Sequence, residues 1–178
     1  TQIGQYANAK SALESYDLDG LAPIELYPEY MAAYANIYIS QGDYKNAIPY
    51  MEKASQEIRD RHCQRRYKFI LAQLYRHIGD KEKAAPLFLE LSRGIKDYDM
   101  AFAAKLDLAT VASSSAELQK AEKNLNKMAK DAKNKELLDQ VYYSLGKLEE
   151  SKGDTSEAKK LFHKSIETSY SNDNQKGL

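Results

Sequence analysis

Few side chains in this sequence stand where they could do chemistry together. His62 and Cys63 are adjacent, and a thiol beside an imidazole is the raw material of a nucleophilic pair. Successive helical residues point about 100° apart, however, which places these two badly as a dyad. His77 and His163 are remote from them and from each other in the chain. The neighbouring carboxylates Glu149 and Glu150 are of the kind used in acid–base work, but a helix carries such pairs for solubility and for i,i+4 ion pairs. There is no Gly-rich phosphate loop, no HExxH and no nucleophile elbow. One cysteine and three histidines make a poor metal set. Neither catalysis, nor a cofactor, nor a metal is expected. The residues that stand out are basic: Arg59, Arg61, His62, Arg65, Arg66 and Lys68. Arg61 and Arg65 share one helix face, and His62 and Arg66 another. Such a cluster is either a solvated face or a docking site for an acidic partner.

Composition narrows the classes. The 178 residues carry 26 basic and 26 acidic side chains, so the chain has no global field of the kind a non-specific nucleic-acid binder needs. A hydrophobic fraction of 43% with only 4 prolines argues for a folded chain. The mean hydropathy of −0.68 and the lack of a long apolar run exclude a membrane-spanning helix. Thr1 opens a polar stretch without a signal peptide or lipidation motif. A lone cysteine does not choose between compartments.

Internal repetition decides the fold class. Ala47, Ala84, Ala121 and Ala158 follow one another at a step of 37 residues. Four residues after each stands a large apolar side chain: Met51, Phe88, Leu125 and Phe162. Five residues before each stands a small one: Gly42, Gly79, Ala116 and Gly153. The next residue is acidic every time, as Asp43, Asp80, Glu117 and Asp154. Glycine just past a helix can take the left-handed conformation that satisfies the last carbonyls, and the acid after it can cap the next helix. The unit is therefore helix A, a tight turn, helix B, with small residues where the two cross.

That constellation resembles the tetratricopeptide repeat, matched best by Tyr34-Ala35, Tyr38, Gly42, Tyr44, Ala47, Met51 and Ala54. The period is three residues longer than the family's usual 34, and the third copy has Ala116 in place of its turn glycine. The resemblance implies an all-α, right-handed superhelical α-solenoid. Helices A are expected over about 28–40, 61–77, 98–112 and 136–151, and helices B over about 44–57, 81–93, 116–132 and 155–169. Residues 1–178 read as one solenoid fragment: a partial repeat over 1–27, repeats over about 28–60, 61–97, 98–134 and 135–171, and a truncated next repeat over 172–178. Gly4, Tyr6 and Ala9 mark the orphan helix at the start.

In this family the concave groove is lined by helix A. The groove positions fall on Asn36; on Phe69, Gln73 and Arg76; on Thr110; and on Tyr143 and Lys147, with Ala32, Ile39, Leu106, Ser113 and Glu150 beside them. Phe69 and Tyr143 could anchor a peptide whose backbone Asn36 and Gln73 bond. The lysine and asparagine set with which some members clamp a C-terminal carboxylate is absent. The resemblance thus implies a non-catalytic protein–protein interaction scaffold, with Arg61, Arg65 and Arg66 as a second, basic face.

Local wording goes further. Arg65–Tyr75, Tyr98–Lys105, Asp131–Glu136, Asp139–Tyr143 and Ser169–Lys176 are similar to stretches of the PorW/SprE family of periplasmic lipoproteins, covering roughly residues 60–178. The family favours Asn where Ala104 stands. This resemblance implies a scaffold in the Bacteroidetes type IX secretion system, linking its outer-membrane channel to the periplasmic ring and motor. The implied partners are other secretion components, the implied location is periplasmic and outer-membrane associated, and the lipid anchor would lie upstream. Neither nucleic acid nor direct membrane insertion is expected. The alternative is the solenoid sensor region of a Bacteroidetes regulator or kinase.

Overall fold

The computed structural model describes residues 8, 11–13, 15, 26–93 and 97–176, the last five of these by backbone alone. The orphan-helix residues Gly4, Tyr6 and Ala9 lie outside them, as do residues 177–178. Every regular element among the described residues is helical. In chain order these are α1 (Tyr27–Ser40), α2 (Tyr44–Glu57), α3 (Arg61–His77), α4 (Lys81–Ser92), α5 (Tyr98–Val111), α6 (Ser115–Lys130), a 3-10 segment (Ala132–Leu137), α7 (Leu138–Lys152) and α8 (Thr155–Lys176). They belong to two compact units, residues 1–87 and 88–178.

Three of the four A-to-B turns follow from one glycine each. Gly42, Gly79 and Gly153 have φ of 74°, 82° and 88°, a region closed to most residues with a Cβ. The reversal brings the N–H of Asp43 onto the carbonyl of Tyr38, that of Asp80 onto Tyr75 and that of Asp154 onto Glu149, at 2.9, 2.9 and 3.0 Å. The glycine N–H groups donate to Ile39, Arg76 and Glu150. This is the six-to-one, five-to-two pairing that closes a helix. The same aspartates then open the next helix, accepting the N–H of Asn46, Lys83 and Glu157 at 3.2, 3.1 and 3.0 Å.

The third turn departs from the register expected of it. A 37-residue step from Gly79 lands on Ala116, but α6 begins at Ser115, so Ala116 lies inside the helix. The turn comes earlier, at residues 112–114, with Ala112 extended at φ −58°, ψ 133°. Ser114, rather than Glu117, is the N-cap. Its Oγ accepts the N–H of Glu117, and the Glu117 carboxylate accepts the N–H groups of Ser113 and Ser114 at 3.0 Å each. The result is a capping box. The surplus over the usual period is taken up differently along the chain: α3 runs to 17 residues, and the 3-10 segment lengthens the link from α6 to α7. A second difference is at the end: residues 172–176 continue α8 instead of beginning a new helix.

In the unit of residues 1–87, α2 packs on both α1 and α3. Ala35, Ala47, Met51, Ala54 and Ala72 are wholly buried, which lets the backbones approach closely. Tyr50 stacks on Tyr34 and Tyr38 with centroids 5.4 and 5.5 Å away, and Tyr44 stacks on His77 at 4.6 Å. The Tyr75 hydroxyl donates to Glu52, and burial followed by that bond pushes its pKa upward.

In the unit of residues 88–178, α5, α6 and α7 share a core of Phe102, Ala109, Ala121, Leu125, Met128, Val141, Leu145 and Leu148. Buried Asn134 ties the 3-10 segment in place. Its amide donates to the Met128 carbonyl at 2.7 Å, and its side-chain oxygen accepts from Tyr98. Gly146 is buried where α7 meets α8, and a Cβ there would come within 2.6 Å of the Phe162 ring. All four column alanines are buried: Ala47 and Ala84 at 0% exposure, Ala158 at 3%, Ala121 at 9%.

Candidate functional site

The expected groove residues divide between the two units. In the first, Asn36 is exposed on α1, whereas Phe69, Gln73 and Arg76 on α3 are half-buried. Ala32 is buried and Ile39 half-buried, so Asn36 is the exposed member of the expected α1 lining. Asn36 borders a shallow hollow of about 690 Å³, walled by Leu13, Leu26, Tyr30, Ala33 and Ile37. Tyr30 and Ala33 are not legible as lining from the sequence because they fall between the family's groove columns. Only the 3.6-residue face they share with Ile37 marks them.

In the second unit α5 and α7 are in contact, and both present polar or aromatic side chains outward. Thr110, Tyr143 and Lys147 are all exposed, Tyr143 to 55%. The Tyr143 ring rests against Phe162 of α8, 5.6 Å between centroids, which fixes its base while its outer face meets solvent. Lys147 is paired with Glu150 one turn on, and that bond raises its pKa. Leu106 is half-buried against the core, so it belongs more to packing than to a surface.

The basic cluster sits at the start of α3. Arg61, His62 and Arg66 are exposed; Arg65 is half-buried. The Arg65 Nη2 nitrogen is shielded from solvent and has no hydrogen-bond partner. Asp60 caps the helix, its Oδ1 accepting the Cys63 N–H at 2.7 Å. That N–H draws the Asp60 pKa down, and the Asp60 carboxylate pushes the Cys63 thiol up. Ligand atoms of Asp60, His62 and Cys63 lie within 4.8 Å of one another. The Asp-x-x-Cys spacing of an N-cap and its third helical residue is the signal in the sequence for Asp60. A thiol whose pKa is raised is a weaker nucleophile at neutral pH, so the trio has little of the character of a reactive-cysteine site.

No helix among the described residues is long and apolar enough to cross a membrane. The tetratricopeptide repeat model matches residues 28–60 and 139–172, which span α1 with α2 and α7 with α8. No curated protein matches the chain significantly. Among solved structures the chain is similar to BtubC (BKLC) from P. vanneervenii, at 18% identity and a TM-score of 0.50, over 95% of this chain and 91% of that one. The likeness is one of fold. The chain is an all-α protein of the α-solenoid class, carrying tetratricopeptide repeats at residues 28–60 and 139–172.

Proposed function

We propose that this chain is a non-catalytic protein-binding scaffold whose contact residues lie on the outward faces of its A helices. The observation that carries the reading is Tyr143. It is a large aromatic side chain, braced by Phe162, 55% exposed in the middle of α7 rather than at a frayed end. An ordered aromatic with polar Lys147 one turn on is the usual make-up of an interface anchor with its rim. Tetratricopeptide repeats generally serve protein–protein contact, in keeping with the two repeats matched in this chain.

The finer reading rests on local wording over residues 60–178. It makes the chain a periplasmic, outer-membrane-associated scaffold of the PorW/SprE kind, placed between the channel of the type IX secretion system and its ring and motor. Its partners are then other secretion components. Immobilised chain is exposed to envelope extract from a bacterium that uses this system and from a strain lacking it. Enrichment of secretion components from the first extract alone is the expected result. Recovery of the same proteins from both, or of no secretion component, contradicts the finer reading.

A further inference from the structure

The start of α3 combines charge with unused hydrogen-bonding capacity. Arg59, Arg61, Arg65 and Arg66 lie within eight residues, and none has an ion pair among the described residues. By contrast, Lys83, Lys147, Lys152 and Lys160 each hold a carboxylate. Asp60 stands within the basic run, but its carboxylate is turned to the helix N-terminus as the cap. Arg65 is the telling member, because one guanidinium nitrogen is out of water with nothing to donate to. A buried donor without an acceptor is costly, so Arg65 gains by turning this nitrogen outward to a partner's carboxylate, a gain an already paired arginine does not have.

Position adds to this. His62, Arg65, Phe69, Gln73 and Arg76 recur at steps of three and four, which puts them on one face of α3. Leu71, Leu74 and Tyr75 are buried on the other, and buried Ala72 lies at the edge of the stripe. The basic cluster is therefore the N-terminal continuation of the stripe that carries the expected groove residues.

We propose that the N-terminal half of α3 docks an acidic segment of a partner protein, with Arg65 and Arg66 gripping its carboxylates. The proposal rests on the protein-binding reading and names the chemistry of one partner site. Arginine suits it, since a planar fork takes a carboxylate with two parallel bonds. A peptide fits better than a nucleic acid. Glu57 and Asp60 border the patch, and Glu29 acts electrostatically on Cys63 and Tyr67. A phosphate backbone with closely and regularly spaced charges would meet these carboxylates, whereas a peptide can place its acids around them.

The test uses the full chain and a labelled Glu-rich peptide with one Phe, followed by fluorescence anisotropy. Its controls are the same peptide with Gln for Glu, a short duplex DNA, and phosphatidylglycerol vesicles. The Glu peptide is expected to bind at least about tenfold more tightly than the Gln peptide, and the gain should shrink as salt rises. Arg65→Gln with Arg66→Gln should abolish that gain while the melting curve stays put; Arg66→Gln alone, at an exposed position, gives a reading if the double variant folds poorly. Equal binding of the two peptides, or an undiminished gain in the variants, overturns the proposal. Tighter binding to DNA or vesicles overturns it as well. If the acidic peptide is refused while wild-type chain still captures partners from extract, the scaffold reading stands; capture of nothing while the Glu peptide binds is the opposite failure.

Discussion

Two kinds of turn hold the same hairpin in this molecule. At Gly42, Gly79 and Gly153 the chain reverses through left-handed backbone, and an aspartate closes one helix and opens the next. At Ser113–Glu117 no residue has positive φ, and the work passes to a serine cap and a glutamate reaching back to two N–H groups. One solution is written in backbone conformation, the other in a side-chain charge. Helix-terminal N–H groups must be satisfied either way. The two differ in what can break them.

The greatest loss should come from the feature they share. Ala84, behind a glycine turn, is wholly buried, whereas Ala121, behind the serine turn, keeps 9% exposure. Ala84→Leu overpacks the crossing and should lower stability by about 3 kcal/mol, near the top of the usual range; Ala121→Leu should cost less, about 1–2 kcal/mol. Chemical denaturation of both variants gives the comparison. Equal losses would mean that the shifted turn leaves the crossing unchanged.

Next come the turns themselves. Gly153→Ala forces a Cβ into left-handed backbone with φ of 88°, and should cost about 1–2 kcal/mol although nothing lies within 4 Å to clash. The third turn should behave in the opposite sense. If the 37-residue register governed it, Ala116→Gly would restore a missing turn glycine and stabilise. Since Ala116 lies in the first turn of α6, that change should instead destabilise by about 0.5–1 kcal/mol. A rise in melting temperature would show the register to be right and the observed turn wrong.

The slightest and most specific effect is on pH. The N–H groups of Ser114 and Ser113 hold the Glu117 carboxyl down at about 2, against an ordinary 4.5. A depressed folded pKa contributes stability that is fully present above the unfolded value and is lost as pH falls through the folded one. The serine turn should therefore weaken between about pH 4.5 and 2. In Glu117→Gln that part of the acid dependence should vanish. Hydrogen exchange at the start of α6 across this range is the check, and an acid dependence unchanged by the substitution would contradict the cap.

What is legible in the chain follows the same division. The glycine turns can be read because positive φ all but requires glycine, and a motif repeated in phase exposes itself. The alanine columns can be read for the same reason, and α2 and α3 begin and end where the periodicity puts them. The third turn carries its own signal, Ser114-x-x-Glu117, but the register draws attention to Ala116 instead. Asn134 is not legible, because its partners Tyr98 and Met128 are joined to it only by the packing of α5, α6 and the 3-10 segment. Of the surface, the columns locate Tyr143 and Lys147. They do not reveal that Ala32 is buried or that Arg65 is left without an acceptor, since both depend on neighbours from other helices.

If the hairpins serve to present A-helix faces to another protein, stripping one such face should abolish capture and leave the fold intact. Tyr143→Ala combined with Lys147→Ala removes the exposed anchor of α7 without touching a turn or a column alanine. In a capture assay from envelope extract, this variant should lose at least about tenfold in partner recovery while its melting temperature stays within a few degrees of the parent. Undiminished recovery by a folded double variant would contradict the assignment of α7 as a binding face, and with it the reading of the hairpins as supports for such faces.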